Sequence, residues 1–351
     1  MGYKVLTLAD LDLWQSYMER LPPRLRHVFF TPSYYALYAR KDRVPRCFIF
    51  TDADKLAVYP FLQSVLTSDG RRYTDMEGAY GYNGAVANAH DEGFATAFAD
   101  ALGAFCREER VVAEFVRVDP VVQKDLLCGH LQLTAVNRNV IVDLRLSEEE
   151  LWMSSYEHCV RKNVNKAKTM GVSVRVLGGE EMSDADLRSF AGIYRHTMER
   201  NGSAGEYYYE EGYFKDVCGK LGRNSSFYFA SLDGRDISCE LVLTGGDTGY
   251  SFLGGTLAEA QEARPNSILK DHLIRDLKRK GFTYYCIGGG KALDDGIFKY
   301  KKTFARNGTV DFYIGTRVHD RQAYDALCRD WEQRFPEKKV ACGRMFLRYK
   351  C

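Results

Sequence analysis

Hydrophobic patterning passes twice along this chain through the same alternation of helical and extended segments, and that repetition limits the fold more than any other feature. In the first pass, residues 11–21 have helical periodicity and stop at Pro22 and Pro23, and residues 33–40 read as a second helix. Residues 46–51 and 55–66, β-prone around the turn former DADK, read as a hairpin. The glycine- and tyrosine-rich stretch 74–86 leads into a helix over 93–109, followed by strands over 111–118 and 139–144 that end the unit. The second pass opens at the Ser147–Glu150 capping pattern with a helix to about Met170. Strands over 172–177, 226–232, 237–244 and 249–254 then alternate with helices over 183–201 and 210–221. A helix over 267–280, with a buried stripe of Ile268, Leu269, Leu273 and Leu277, and a strand over 283–287 complete it. Two mixed α/β (α+β) units of similar order imply a duplicated fold, although no residue-level repeat is visible.

Length agrees, since 351 residues exceed what one core usually organises. The expected division is 1–145 joined by a C-terminal segment 319–351, and 146–318, with a groove between them; the aromatic tail 340–349 reads as extended and returning to the first unit. Apolar residues at 45% and charged residues at 27% are ordinary for a globular protein. A net charge of +2 excludes a strongly basic protein, so any polyanion must meet a local patch. No apolar run reaches about 18 residues and charge comes too early for a secretory signal, which predicts a cytoplasmic protein. The ten cysteines are scattered singly without a CxxC pair and the seven histidines are dispersed, so reduced structural thiols are expected and no metal.

Four stretches have the composition of a site. Residues 286–304 join an apolar strand to Gly288, Gly289 and Gly290, which allow close backbone approach, and then to Asp294 and Asp295 at a helix start. In that helix Ile297, Tyr300 and Phe304 form a stripe that Lys299, Lys301 and Lys302 avoid; a solvated basic helix is the competing reading. Arg161, Lys162, Lys166 and Lys168 share a helical face that is either solvated or able to meet phosphates. Tyr207, Tyr208 and Tyr209 follow a helix end and cannot all be buried on one face, which offers a hydroxyl to a ligand or anchors the loop. Arg264 and Asn266 precede or begin a helix whose free N–H groups form an anion site unless Asn266 or Ser267 caps them.

Taken in order, the segments RKNVNKAKTMGV, IYRHTMERNG, SFLGG, RPNSILKDHLI, YYCIGGG and DDGIFKYKKTF resemble the FemX-like members of the Fem family of aminoacyl-tRNA-dependent transferases. The resemblance is strongest over 145–318. It implies two tandem domains resembling the Gcn5-related acyltransferase (GNAT) fold, and transfer of an amino acid to an amine. Aminoacyl-tRNA would be the donor and a peptide or muropeptide precursor of peptidoglycan the acceptor, with no cofactor and no membrane insertion. The family's catalytic Phe-Lys pair falls on Tyr300 and Lys301; substrate contacts are expected from Arg161, Lys162, Lys166, Tyr207, Tyr208, Arg264, Asn266, Gly289, Gly290 and Asp295. The family's diphosphate-binding lysine is replaced around Leu37 and Arg40, its arginine partner gives way to Glu206 and Tyr207, and the helical-hairpin insertion of larger relatives is absent. Acyl-coenzyme A as donor, or a binding protein without turnover, are the alternatives.

Overall fold

The computed structural model describes residues 2–68, 70–122, 124–202 and 205–351. In chain order the elements are β1 (Gly2–Thr7), α1 (Leu11–Arg20), α2 (Pro32–Ala36), β2 (Arg43–Asp52), β3 (Lys55–Ser68), β4 (Arg71–Glu77), β5 (Val86–Ala87), α3 (Glu92–Glu108), β6 (Val111–Arg117), α4 (Asp125–Cys128) and β7 (Gln132–Asp143). They continue as α5 (Glu148–Glu150), α6 (His158–Thr169), β8 (Ser173–Gly178), α7 (Asp184–Arg200), α8 (Glu211–Leu221), β9 (Ser225–Leu232), β10 (Arg235–Gly245), β11 (Thr248–Thr256), α9 (Pro265–Arg279), β12 (Tyr284–Gly289), α10 (Gly296–Lys302), β13 (Thr309–Val318), α11 (Arg321–Arg334) and α12 (Lys339–Cys342). The chain forms two compact units, one of Met1–Val136 with Phe312–Cys351 and one of Asn137–Asp311.

In the first unit β1, β2, β3 and β4 form an antiparallel meander, β6 lies parallel to β4, and β13 pairs antiparallel with β6. The α3 helix spans the parallel crossover, and its Phe94, Phe98, Leu102 and Phe105 pack with Phe48, Phe50, Tyr59 and Phe61 of the sheet. On a separate core, Ala323, Tyr324, Leu327 and Cys328 of α11 meet Val112 and Ala113 of β6.

The second unit repeats this order. Strands β8, β9, β10 and β11 form an antiparallel meander, α9 leads to β12 parallel to β11, and β7 closes the row antiparallel to β12. Phe190 of α7 sits edge-on to Phe214, Phe227 and Phe229, while Leu269, Leu273, Ile274 and Leu277 form the buried face of α9. Each unit thus has the meander, crossover helix and parallel strand that the repeated patterning implies.

Several local expectations are corrected. Residues 139–143 do not end the first unit: β7 pairs with β12 in the second, a long-range choice that strand propensity does not encode. The single helix over 147–170 is broken. Residues Leu151–Ser155 widen into a π-turn and Tyr156 becomes extended, with its buried ring 5.7 Å from that of Phe304. The α2 helix ends at Ala36 rather than at residue 40. The tail is not extended but forms short helical turns, with Phe346 against Phe115 and Tyr324. Those turns bring Cys342 and Cys351 into a disulfide, against the expectation of reduced thiols throughout; the other eight cysteines keep their thiols.

Candidate functional site

The site grows from the end of β12. Gly288 has φ +81°, in the left-handed region, and bends the strand at the register shift opposite β7. A Cβ on Gly289 would overlap the carbonyl oxygen of Arg138, and one on Gly290 would overlap the Asp295 carboxylate, so bare backbone is a steric requirement at both. The Asn137 amide donates to the Gly290 carbonyl at 3.1 Å, and Arg138 pairs with Asp294 and lies over the Phe298 ring. Asp295 caps α10. It accepts from the backbone N–H groups of Phe298, Lys291 and Ala292 at 2.8, 2.6 and 3.0 Å, and the Phe298 N–H leads in holding its carboxyl below the usual range.

The expected face of α10 is rotated. Phe298 is buried, whereas Ile297 and Tyr300 are 40% and 36% exposed. The helix ends at Lys302, so Phe304 reaches the core from the following turn and not from the same stripe as Ile297 and Tyr300. Three residues beyond Phe298, Lys301 therefore turns inward, and its Nζ donates to the Gly289 carbonyl at 2.7 Å. Burial first, and the charge of Lys270 second, lower its pKa to about 8. The Tyr300 ring meets Phe304 edge-on at 5.4 Å while its hydroxyl bonds Ser267 at the start of α9, and burial of that hydroxyl raises its pKa.

Beside Lys301 stands a polar network absent from the sequence reading. Lys270 donates to both oxygens of Glu240 at 2.6 Å and to the Tyr285 hydroxyl at 2.9 Å. Tyr285 and Ser251 donate in turn to Glu240 Oε1 at 2.5 and 2.6 Å. Burial pushes the Glu240 carboxyl up, but Lys270 outweighs it and holds the group below its usual value. Glu240 and Lys270 are each 6% exposed. Both carried a signal: Lys270 lies three, four and seven residues before Leu273, Ile274 and Leu277, inside an apolar stripe, and Glu240 interrupts an apolar strand.

The other expected site residues are dispersed. Arg161 donates to the carbonyls of Trp152 and Tyr156 at 3.0 and 2.8 Å, so its guanidinium is committed to the π-turn. Lys162 is exposed, and Lys166 lies 3.6 Å from Glu262. Arg264 is exposed in the left-handed region with φ +56° at the start of α9, and Asn266 accepts from Ser238 and Thr256 instead of capping the helix. The Tyr207 carbonyl accepts from Tyr194, Tyr209 stacks on Tyr213 at 4.0 Å, and Tyr208 is the exposed member of the three. Ser203, Ala204 and the Glu206 side chain lie outside the described residues. What the fold brings together is Tyr300, Lys301, Gly289, Gly290 and Asp295 with Glu240, Lys270 and Tyr285.

Residues 154–302 match the acetyltransferase (GNAT) domain family, which spans the site. The protein is thus a transferase of the acyl-transfer class built on the GNAT fold. FemX is similar in structure, with a TM-score of 0.71 and 14% identity over 93% of this chain and 99% of that chain. A C-terminal DUF2156 domain from Agrobacterium fabrum, provisionally assigned to a lysylphosphatidylglycerol synthetase, gives 0.56 and 12% over 92% and 96%. A conserved protein of unknown function from Bacteroides thetaiotaomicron gives 0.53 and 11% over 90% and 98%. No curated protein sequence matches. Among the described residues no helix is long and apolar enough to cross a membrane.

Proposed function

We propose that this protein moves an amino acid from aminoacyl-tRNA to an amine acceptor of the peptidoglycan-precursor type. The observation that carries the reading is the inward-facing amine of Lys301 on the Gly289 carbonyl, a cation held by a backbone dipole at the end of β12 and not neutralised by a carboxylate. In aminolysis the acceptor nitrogen attacks the ester carbonyl, a tetrahedral oxyanion forms, the C–O bond breaks, and the tRNA hydroxyl leaves with a proton. Lys301 as ammonium stabilises the oxyanion, and Tyr300 shapes the approach.

The two nearby carboxylates are poor candidates for the base. Asp295 is saturated by backbone N–H groups, and Glu240 by Lys270, Tyr285 and Ser251. Lys270 and Glu240 instead tune Lys301 in opposite senses, the fixed positive charge lowering its pKa and the carboxylate raising it.

The match to the acetyltransferase domain favours one second reading, acyl-coenzyme A as donor. Purified protein offered charged tRNAs, acyl-coenzyme A donors and peptide amines, with products weighed by mass spectrometry, separates the two. Amide formation only from acyl-coenzyme A would overturn the tRNA reading; no transfer from either donor would favour a binding protein.

A further inference from the structure

The first unit contains a concave site of about 560 Å³ that the acyl-transfer reading does not use. Its wall takes Arg71 from the first position of β4, Arg107 from the last turn of α3, Arg110 from the turn before β6 and Arg321 from the first position of α11, with Tyr73 and His319 between them. Four arginines and one acidic residue line this wall, and the acidic residue, Asp320, is occupied as the cap of α11 through the Ala323 N–H at 2.9 Å. Among the described residues Arg71, Arg107 and Arg110 have no ion-pair partner, and Arg321 has only Asp325 at 3.9 Å on the exposed helix surface. Four arginines beside one acidic residue make this wall a local basic patch on a chain whose net charge is only +2.

Arg110 sits in a tight turn. Its φ is +52°, in the left-handed region where glycine is the easy residue. The turn is locked by the bonds from Arg110 N–H to the Arg107 carbonyl at 3.2 Å and from Thr74 N–H to the Arg110 carbonyl at 3.1 Å. The left-handed backbone here also means that Arg110→Gly removes the cation without straining the turn.

The floor is rigid. Glu114 accepts from Tyr59 on one oxygen and faces His130 Nε2 at 2.7 Å and His319 Nε2 at 3.1 Å on the other. Cys106, Glu114, His130 and His319 place possible metal-ligand atoms within 4.8 Å of one another. Arg317, however, offers an N–H to His130 Nδ1 at 3.1 Å, and a guanidinium cannot accept, so Nε2 carries the hydrogen and points it at Glu114. The cluster is a closed hydrogen-bond network that fixes His319 in the pocket wall, not an open metal ligand set.

We propose that this pocket binds a small molecule carrying two or more phosphate groups. Guanidinium forks match phosphate oxygens, and a concave site of this volume suits a compact ligand better than a polynucleotide strand. The site is independent of the acyl-transfer reading.

The test is calorimetric titration of the full chain at about 50 mM salt with pyrophosphate, a nucleoside diphosphate and orthophosphate, against the Arg107→Ala/Arg110→Gly double variant. Saturable binding of pyrophosphate is expected, tighter than orthophosphate, and at least about tenfold weaker in the variant. Relative to pyrophosphate, a gain for the nucleoside diphosphate would identify a nucleotide as the source, and equal affinity a free polyphosphate. Because residue 110 has a glycine-type backbone, Arg110→Gly should leave the melting temperature unchanged, which separates lost binding from lost folding. The proposal is overturned if pyrophosphate gives no saturable heat up to about 10 mM, if the variant binds equally well, if sulfate competes as effectively at equal ionic strength, or if a short RNA binds more tightly through the same arginines.

Discussion

Lys301 Nζ and the carbonyl oxygen of Gly289 are joined by a 2.7 Å hydrogen bond that ties the cation of α10 to the last residue of β12. The tie fixes the amine without neutralising it, because the partner is a dipole and not a carboxylate. If that ammonium meets charge arising only in the transition state, Lys301→Met lowers kcat about a hundredfold to a thousandfold and leaves KM nearly unchanged. Steady-state kinetics with the best donor checks this; an unimpaired kcat would remove Lys301 from the mechanism.

A pKa of about 8 for Lys301 gives activity and stability opposite pH dependences. Turnover that needs the ammonium falls as pH rises through about 8. For stability, an unfolded lysine holds its proton to about pH 10.4, so between the two values the unfolded state binds more protons and this group makes the fold more stable as pH rises. Below about pH 8 both states are charged and the folded state bears the full burial penalty. Urea unfolding at about pH 7 and about pH 9.5 should show this gain in wild type and its loss in Lys301→Met; identical pH trends in the two proteins would contradict the assignment.

Breaking the Glu240–Lys270 pair on one side leaves the other charge buried. Lys270→Met alone is expected to destabilise by about 3–5 kcal/mol, while Glu240→Met with Lys270→Met is close to neutral. In the single variant the repelling neighbour of Lys301 is gone, so the fall of activity with pH moves upward. Chemical denaturation and a pH–rate profile give both readings, and an unmoved profile would show that Lys270 does not tune Lys301.

Gly289→Ala places a methyl group against the Arg138 carbonyl, which belongs to a paired strand and cannot swing aside. A loss of about 1–3 kcal/mol is expected, together with reduced turnover as the Lys301 anchor shifts. Wild-type melting and kinetics in this variant would show that the strand end has room.

The basic helix α6 divides by role. Arg161 holds π-turn carbonyls, so Arg161→Ala should lower the melting temperature, whereas Lys162→Ala with Lys166→Ala should leave folding intact. If these lysines meet tRNA phosphates, the double variant reduces the slope of log binding constant against log salt by about 2. An unchanged slope would leave them as solvated charges.

Much of this architecture was readable from the chain because it rests on local periodicity. The Leu11–Arg20 and Glu92–Glu108 helices, the hairpin of β2 and β3, and the apolar α9 between strands follow from spacing, capping and turn residues. Partner choice was not legible: nothing local in residues 139–143 distinguishes pairing with β12 from pairing within the first unit. At the site, the glycines and Lys301 could be picked out, but the inward turn of Lys301 depends on where α10 stops. The Glu240–Lys270 contact spans 30 positions, and only the oddity of charged residues in apolar runs announced it.

The closing strands also set an order of folding during synthesis. Residues 137–311 form one uninterrupted unit, whereas β6 in the other waits for the 314–318 part of β13. During translation the second unit can therefore complete its fold first, while the earlier-made strands keep an open edge at β6. That edge is a template for pairing with other chains until the final segment leaves the ribosome. Truncation before residue 312 should accordingly produce a chain that aggregates through its amino-terminal half, and residues 137–311 are the natural fragment to express alone.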